Sequence, residues 1–472
     1  MTDFESPRDR LPPVLSAPVR GGRRSPSVAA FLSFLWPGLG QWYAGSPRNA
    51  LLFALPVVTV AVVFGLQLLG GAANVAIGLL TPSTALTVVI LVGLLGAWRL
   101  ISMAGALSTA APRGAWRRPV PVATFAVLAL AVVVSHAGVA SLAWSFYRAG
   151  SEIFVADVGP DTSPQPSASG VAGGFVATPD TEPETPQSRI NFLLTGIDSS
   201  ERRNHALTDT LLVVSVDPVT GQVSMISFPR DISSFRLTNG KIFRGKINSL
   251  MTYAQNHPDQ FPDGGLPTLT QELGNLLGVP IHYYAAVDLA GFSTMIDRVG
   301  GVTIKNETAI NDPAYGGWTD GRLGFRLSKG THTLDGPTAL AYVRSRKTAG
   351  DTDFGRARRQ QQLLVALQRK LTDPAMIPNL PGILKDAEGT VRTNFPSNRL
   401  SEMLDIGQSL DDKNIRRVVL GPPYARNPPA SESGGVYSLR LEMDRLAALS
   451  IELFGSDSSY ASAGNPANQV SP

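Results

Sequence analysis

The chain of 472 residues contains no cysteine, which excludes disulfide bonds, cysteine nucleophiles and thiolate metal sites. Its five histidines are scattered, and no two of them have the spacing of a metal-ligand pair. No serine lies in a G-x-S-x-G elbow, and no histidine is paired with an acid at a recognisable spacing. If the chain is an enzyme, these absences favour electrostatic catalysis, in which a metal ion and arginines act on a phosphorylated substrate.

Charge is also scarce, at 17% of residues with a net charge of +4. Residues 1–27 are rich in proline, serine and arginine and are predicted to form a disordered basic tail. Three later runs, at residues 50–69, 84–107 and 121–144, are long and apolar enough to span a membrane. Residues 28–44 are also apolar, but Pro37 and two glycines interrupt them, and we expect a re-entrant or interfacial segment.

The distribution of arginine predicts the orientation of this membrane region, residues 28–147. Arg48, Arg117 and Arg118 flank the predicted spans on one side, whereas residues 70–85 carry no charge. The positive-inside rule then places the N-terminal tail in the cytoplasm and everything after residue 144 outside it. We therefore expect a multi-pass protein of the cell membrane, embedded by three spans, with an extracytoplasmic C-terminal part.

The remaining chain divides by composition. Residues 148–188 form a linker rich in proline, serine and threonine. Residues 189–425 alternate predicted strands and helices and indicate one α/β domain. Residues 426–472 are predicted to be a C-terminal extension that is partly disordered.

A basic stretch at residues 342–362 is the best candidate for a binding site. A helix is predicted from Asp353, on which Asp353, Arg356 and Gln360 share one face and lie in line with core leucines. Polar residues in line with core residues indicate a pocket. Arg344 and Arg346 lie two apart and would share one side of an extended segment. Converging guanidinium groups suit a phosphate or pyrophosphate, whereas the alternative is a solvated basic helix face.

Two acidic residues lie at predicted strand ends, Asp198 after the first strand and Asp209 before the second. If these strands are neighbours, the two carboxylates meet at one rim and suit Mg²⁺; the alternative is two turn or cap residues. Arg230, at a strand end, and Lys246 would add positive charge, unless they are only solvated.

Taken together, these motifs resemble those of the LytR-CpsA-Psr family of bacterial cell-envelope enzymes. The resemblance covers residues 189–371, about two fifths of the chain. An abundance of Ala, Gly, Arg and Pro is typical of an actinobacterial source. The motifs are GID (196–198), TDTLLVVSVDP (208–218), SFPRD (227–231), GKIN (245–248), VGGV (299–302), LDGPTALAYVRSR (334–346) and DFGRARRQ (353–360).

The resemblance implies an α-β-α sandwich with a mixed central sheet, enclosing an apolar tunnel for a polyprenyl lipid. It implies transfer of a glycopolymer from polyprenyl pyrophosphate to peptidoglycan, as a phosphodiester to the muramic acid 6-hydroxyl. Asp198 and Asp209 would hold Mg²⁺, and Asp353 would orient arginines or assist removal of the acceptor proton. The pyrophosphate would be bound by Arg230, Lys246, Arg344, Arg346, Arg356 and Gln360, and the catalytic residues would be Arg344, Arg346, Asp353 and Arg356.

The sequence departs from the family at Leu207, where members commonly carry an arginine that reaches the phosphates. Either Arg202 or Arg203 substitutes, or phosphate affinity is weakened. Two other functions stay open. A polyprenyl-pyrophosphate phosphatase would use the same residues with water as acceptor. A membrane-anchored regulator or nucleic-acid binder would use the basic stretch, but the predicted topology keeps nucleic acid away from it.

Overall fold

The computed structural model describes residues 24–111, 114–154, 189–198, 207–318, 320–348, 352–409 and 412–462. Most of the predicted tail and linker, the side chains of Asp198 and Leu207, and residues 202 and 203 lie outside this description. Two compact units result, Met1–Gln67 with Val89–Ala140 and Leu68–Val88 with Ser141–Pro472.

The helices of the described residues are α1 (Pro26–Leu35), α2 (Leu39–Tyr43), α3 (Pro47–Leu69), α4 (Ala72–Gly78), α5 (Pro82–Ala110), α6 (Pro119–Ile153), α7 (Leu250–Gln255), α8 (Gly265–Leu277), α9 (Leu289–Arg298), α10 (Gly336–Arg344), α11 (Asp353–Leu371), α12 (Leu380–Ala387), α13 (Leu400–Ser409), α14 (Ala430–Ser433), α15 (Met443–Phe454) and α16 (Ser459–Ser462). The strands are β1 (Ile190–Asp198), β2 (Leu207–Val216), β3 (Val223–Ser227), β4 (Ser233–Arg236), β5 (Ile242–Lys246), β6 (Tyr283–Asp288), β7 (Val302–Asn306), β8 (Ile310–Asp312), β9 (Phe325–Leu327), β10 (Gly330–Leu334), β11 (Val391–Thr393), β12 (Ile415–Val419), β13 (Ala425–Arg426) and β14 (Arg440–Leu441).

Three helices in the described residues, α3, α5 and α6, are long and apolar enough to cross a membrane. They contain the three predicted spans. The interrupted segment before them is a broken helix, because α1 ends at Leu35 and α2 begins only after Gly38, whose φ is +102°. The ten residues of α1 extend about 15 Å, half the thickness of a hydrocarbon core of about 30 Å. Helix α1 is therefore too short to span on its own, and a re-entrant or interfacial position of residues 28–44 stays a prediction.

A buried polar contact fixes the broken helix within the first unit. The Gln41 side chain donates to the carbonyl oxygen of Ser102 at 2.7 Å and accepts from the Ser33 hydroxyl at 2.9 Å. Gly40 permits a close approach, because a Cβ there would lie 2.0 Å from the carbonyl oxygen of Ala29. The amide of Gln41 is thus satisfied inside an apolar environment, where an unpaired polar group is costly.

A six-stranded mixed sheet in the order β11-β6-β1-β2-β3-β12 forms the centre of the second unit. β1 pairs antiparallel with β2, and β2 pairs antiparallel with β3. β6 pairs parallel with β1, and β12 pairs parallel with β3. Strand β2 is apolar on both sides, because Leu211 and Val213 pack into one core and Leu212 and Val216 into another. A strand with this pattern must be covered on both faces.

Helices cover both faces, so the predicted α-β-α sandwich with a mixed sheet is confirmed. On one face, Leu269 and Leu273 of α8 and Leu250 of α7 pack in the core that contains Leu211. On the other face, Val365 of α11 packs beside Leu212. Helix α10 packs between α9 and α11 and extends this second layer.

The C-terminal boundary predicted at residue 425 is wrong. Leu446, Leu449 and Leu453 of α15 are buried in the same core as α8, and β13 pairs with β14. The amphipathic pattern of α15 was visible in the sequence, but the partner of its apolar face was not. Residues 426–462 therefore complete the domain rather than extend it.

The start of the linker, predicted at residue 148, is also wrong, because α6 continues to Ile153. Ala149 and Ile153 are buried in a cluster with Leu80 of the loop before α5 and with Ala387 of α12. A Cβ at Gly150 would lie 2.1 Å from the carbonyl oxygen of Leu80, so only glycine permits this approach.

Two polar contacts hold the end of α6 against the sheet edge. Arg148 Nη2 lies 3.2 Å from Glu388 Oε2, and Phe154 forms a parallel bridge with Thr393 of β11. The end of α6 therefore lies directly beside β11.

Candidate active site

A β-bulge determines the position of Asp209. Gly196 pairs with Thr210 and Ile197 with Thr208, so Asp209 is the extra residue of β2. Bulges are common beside active sites because they redirect a side chain. Asp198 ends β1 opposite Leu207, so the backbones that carry the two predicted metal ligands lie at the same end of neighbouring strands.

A polar cavity of about 270 Å³ opens at this end of the sheet. Five predicted phosphate-binding residues and one predicted metal ligand lie in its wall, namely Arg230, Arg344, Arg346, Arg356, Gln360 and Asp209. Lys347, Asp312 and Tyr315 also line it, and sequence reasoning missed all three. The structure thus brings together most of the residues selected from the sequence.

Two arginines of the wall, Arg230 and Arg356, are held by carboxylates. Arg230 Nη1 donates to Asp209 Oδ1 at 3.1 Å, and its Nε lies 3.9 Å from Asp353 Oδ2. Asp353 Oδ1 lies 3.3 Å from Arg356 Nη1. Asp353 does not itself line the cavity, so it acts on the site through the two arginines.

Arg356 is a buried cation, and the exposed fraction of the residue is 7%. The helix start explains its position: Thr352 caps α11, and Arg356 follows on the face that continues into the core leucines. Burial lowers the pKa of Arg356, while Asp353 and Asp209 oppose the effect. An arginine nevertheless stays charged, and a charge with little water around it attracts an anion more strongly.

Lys246 lies apart from the cavity wall and forms an ion pair with Asp231. Burial would raise the pKa of Asp231, but the hydrogen bond and charge of Lys246 outweigh it, and the pKa is lowered. The Asp231 backbone is fixed from the C-terminal end of the domain, because the amide of Leu439 donates to its carbonyl oxygen at 2.9 Å. The Ser233 amide in turn donates to the carbonyl oxygen of Leu439 at 2.8 Å.

The end of α10 sets the positions of Arg344 and Arg346. Arg344 is the last residue of this helix, and Arg346 lies in the segment after it. Asp312 organises the segment after it: its Oδ2 accepts from the Ser345 hydroxyl and from the amides of Arg346 and Lys347, at 3.0, 3.0 and 3.1 Å. The signal in the sequence was only an aspartate before a proline in a glycine-rich loop. Its distant partners could not be read there.

A second cavity, of about 120 Å³, is apolar and adjoins the polar one. Its wall includes Leu194, Phe292, Leu363 and Leu364. The residues common to both walls are Thr210, Leu289, Val343 and Gln360. One continuous wall therefore joins a cationic space to an apolar one, which suits a ligand with an anionic head and an apolar tail.

The predicted Mg²⁺ site has only two protein ligands, Asp198 and Asp209. The described residues contain no group of three or more His, Cys, Asp or Glu that could hold a metal ion. Mg²⁺, however, is usually held by one or two carboxylates together with substrate phosphates and water. Asp209 fits this requirement, because its carboxylate lies in the cavity wall beside the arginines.

Comparisons with known proteins identify relatives of this chain. The family model LytR_cpsA_psr matches residues 171–449. The chain is 28% identical over 264 residues to the polyisoprenyl-teichoic acid–peptidoglycan teichoic acid transferase TagU of Bacillus licheniformis, covering 56% of this chain and 76% of that protein. It is 33% identical to the regulatory protein MsrR of Staphylococcus aureus, covering 44% of this chain and 58% of that protein. The crystal structure of B. subtilis TagV covers 57% of this chain and 98% of its own, with 23% identity and a TM-score of 0.45.

Proposed function

Because the chain belongs to the LytR-CpsA-Psr family, we propose that it transfers a glycopolymer from a polyprenyl-pyrophosphate carrier to peptidoglycan. Family membership and relatives named as teichoic acid transferases make it an enzyme of the transferase type. The name of the B. licheniformis relative pairs a polyisoprenyl-linked donor with peptidoglycan. The bond formed is a phosphodiester to the muramic acid 6-hydroxyl.

The observation that carries this proposal is the wall shared by the cationic and apolar cavities. Gln360 lies in both walls, between Arg356 on one side and Leu363 and Leu364 on the other. A polyprenyl pyrophosphate has the same order of chemistry, an anionic head joined to an apolar chain. With its lipid chain in the apolar cavity, the donor places its pyrophosphate in the polar cavity, where it contacts Arg344.

The reaction is a displacement at phosphorus. The acceptor hydroxyl oxygen bonds to the phosphorus that carries the glycan, and the bond from that phosphorus to the bridging oxygen breaks. Polyprenyl phosphate leaves with the bonding electrons, and the hydroxyl proton passes to solvent. Guanidinium groups of Arg230, Arg344 and Arg356 stabilise the negative charge that moves onto the bridging oxygen. Asp353 orients two of them.

Mg²⁺ is the cofactor that we propose, with Asp198 and Asp209 as its protein ligands. When bound, it would neutralise charge on the pyrophosphate oxygens. The rest of the activity is assigned to the side chains of the chain itself. Arg346 and Lys347 are exposed at the cavity mouth, where they attract the anionic donor.

We further propose that residues 189–462 lie outside the cytoplasmic membrane and that α3, α5 and α6 make the protein multi-pass. The length and composition of these helices support this placement, together with the positive-inside pattern of arginines. Reporter fusions after residue 462 and before residue 26 are expected to be active on opposite sides. A reporter after residue 462 that is active only in the cytoplasm would refute the topology.

A transfer assay tests the reaction. The full chain in detergent is given radiolabelled glycan–pyrophosphate–polyprenyl and peptidoglycan, with Mg²⁺ or with EDTA. We expect label to reach the wall only with Mg²⁺. Arg356→Ala should lower the rate about 10²–10³-fold with an unchanged circular dichroism spectrum. The matched control is Arg369→Ala on the same helix, because Arg369 is exposed and pairs with Asp412 away from the cavity.

Three outcomes would contradict parts of the proposal. Full activity of Arg356→Ala would remove the assigned site. Label released into solution in the presence of peptidoglycan would show hydrolysis instead of transfer. Unchanged transfer in EDTA would remove Mg²⁺ from the mechanism.

A further inference from the structure

Tyr315 carries a buried hydroxyl that the proposed reaction does not use. The exposed fraction of this residue is 7%, and it lines the polar cavity together with Arg344. Among the described residues its hydroxyl oxygen has no hydrogen-bond partner. Buried hydroxyls are nearly always paired, and an unpaired one at a cavity wall indicates a partner that the cavity receives.

The ring of Tyr315 is fixed in place. It packs edge-on against Trp318, with ring centroids 5.4 Å apart, and also against Phe325 at 6.0 Å. The backbone is held as well, because the Gly324 amide donates to the carbonyl oxygen of Tyr315 at 2.7 Å. The hydroxyl therefore cannot easily swing to another partner, and its position is set before a ligand arrives.

Gly317 lies directly beside the hydroxyl. A Cβ at this position would lie 2.5 Å from the Tyr315 hydroxyl oxygen, closer than any real contact. Glycine at this position therefore avoids a side chain that would press on the hydroxyl. Glycine at this position is what lets the backbone approach so closely.

The charges around Tyr315 favour an anionic partner. Burial raises the pKa of Tyr315, and Arg344 and Asp312 act on it with opposite signs. The hydroxyl therefore keeps its proton at neutral pH and is a donor. Asp312 accepts from the Ser345 hydroxyl and from backbone amides, and Arg344 lies with Tyr315 in the wall of the polar cavity.

We propose that the Tyr315 hydroxyl donates a hydrogen bond to a non-bridging oxygen of the pyrophosphate that Arg344 binds. Tyr315 is then a substrate-binding residue, and the loop from Asp312 to Gly324 is part of the phosphate site. The inference rests on the proposed function for the identity of the natural ligand. Its chemistry, a neutral donor beside a guanidinium, applies to any pyrophosphate.

The test uses the full chain in detergent with Mg²⁺ and inorganic pyrophosphate as the probe. Tyr315→Phe should weaken pyrophosphate binding about tenfold or more in calorimetry, because it removes a hydrogen bond to a charged group. The same variant should melt about 2–4 °C higher, since it removes an unpaired buried polar group. If the hydroxyl were merely structural, Tyr315→Phe would leave pyrophosphate affinity unchanged and lower the melting temperature.

Two further variants serve as controls. Tyr342→Phe removes a hydroxyl that is bonded to Gln362 Oε1 at 2.7 Å, away from the cavity wall. It should lower the melting temperature and leave pyrophosphate affinity unchanged. Gly317→Ala should weaken pyrophosphate binding in the wild-type background but add little to Tyr315→Phe, because both changes act on the same hydroxyl.

Unchanged affinity in Tyr315→Phe, or a lower melting temperature, would overturn the inference. Its failure is separable from that of the proposed function. If the wild-type protein transfers glycan and Tyr315→Phe binds pyrophosphate normally, only this inference is refuted. Wild-type protein that binds pyrophosphate through Tyr315 but transfers no glycan would refute the proposed function alone.

Discussion

The Asp312 carboxylate accepts a hydrogen bond from the Ser345 hydroxyl at 3.0 Å, across a wide gap in the sequence. The same oxygen accepts from the amides of Arg346 and Lys347. One buried carboxylate thus fixes the backbone from which two cavity cations project. The direction of Arg346 and Lys347 depends on this contact.

Replacing Asp312 with alanine should therefore damage both stability and transfer. The change removes the acceptor of four donors, the Ser345 hydroxyl and the amides of Ala314, Arg346 and Lys347, and we expect a loss of about 3 kcal/mol in the free energy of unfolding. Transfer should fall even under conditions where the protein is folded. Asp312→Asn keeps one accepting oxygen and should be intermediate in urea denaturation. An alanine variant as stable as wild type would show that the loop does not need the carboxylate.

Asp312 also predicts that the free energy of unfolding falls at acidic pH. Burial would raise the pKa of Asp312, but hydrogen bonds from Lys347, Arg346, Ser345 and Ala314 outweigh it and the pKa is lowered. The stabilisation is present above the ordinary pKa of about 4 and is lost as the pH falls further. Asp312→Asn should lack this part of the acid loss.

His282 predicts a second loss of stability, in a higher pH range. Its pKa is lowered to about 4 by burial, with a further contribution from Arg399, and its Nδ1 accepts from the Asn191 amide at 3.0 Å. Because the unfolded chain binds the proton more readily, stability should fall between about pH 6.5 and pH 4, by about 3 kcal/mol in total.

The measurement is urea denaturation at several pH values. His282→Asn, whose oxygen can accept from the same amide, should lose this dependence. His257→Gln is the control, because His257 is only half-buried and its Nδ1 bonds to the Tyr253 carbonyl oxygen at the surface. An unchanged pH profile in His282→Asn would show that another group titrates in this window.

The apolar cavity predicts a dependence on lipid length. Ala285 lies in its wall, and Ala285→Leu adds a branched side chain to a space of about 120 Å³. We expect KM for a long-chain polyprenyl donor to rise about tenfold, while a donor with a short isoprenoid chain is little affected. Equal effects on both donors would place the lipid elsewhere. The short-chain donor serves as the internal control for folding and for the polar cavity.

The contact between Arg148 and Glu388 can be tested by cross-linking, which the absence of cysteine makes simple. Arg148→Cys with Glu388→Cys should react nearly completely with a short bismaleimide in native membranes. Arg148→Cys with Arg416→Cys is the matched control. Arg416 lies on β12 at the opposite edge of the sheet from β11, five strand spacings or about 24 Å away. Equal yields for the two pairs would refute the docked arrangement.

Sequence reasoning identified the parts of the site that have local signals. The helix was correctly predicted to begin at Asp353, and the face carrying Arg356 and Gln360 does line a cavity. Lys246 was expected in the pocket and instead pairs with Asp231. The sequence shows that a residue is basic, but whether a carboxylate pairs with it depends on the fold.

The features that sequence reasoning missed all depend on contacts between distant segments. The bulge at Asp209 is a matter of strand register, which no local pattern shows. Tyr315 was hidden in a glycine-rich loop because its burial comes from Trp318 and Phe325. The burial of α15 was missed for the same reason, since its apolar face is completed by α8.

The pairing of Leu439 with Asp231 has a consequence for the order in which the protein matures. Domains emerge from synthesis with the N-terminal side first. The strand end that carries Arg230 and Asp231 is made early, but the segment that holds it is made among the last residues of the domain. A nascent chain that has already released its arginine-bearing helix therefore still lacks a finished site. A chain that stops before Leu439 leaves the Asp231 backbone without this partner, so this end of the site is completed only after residue 439 has been made.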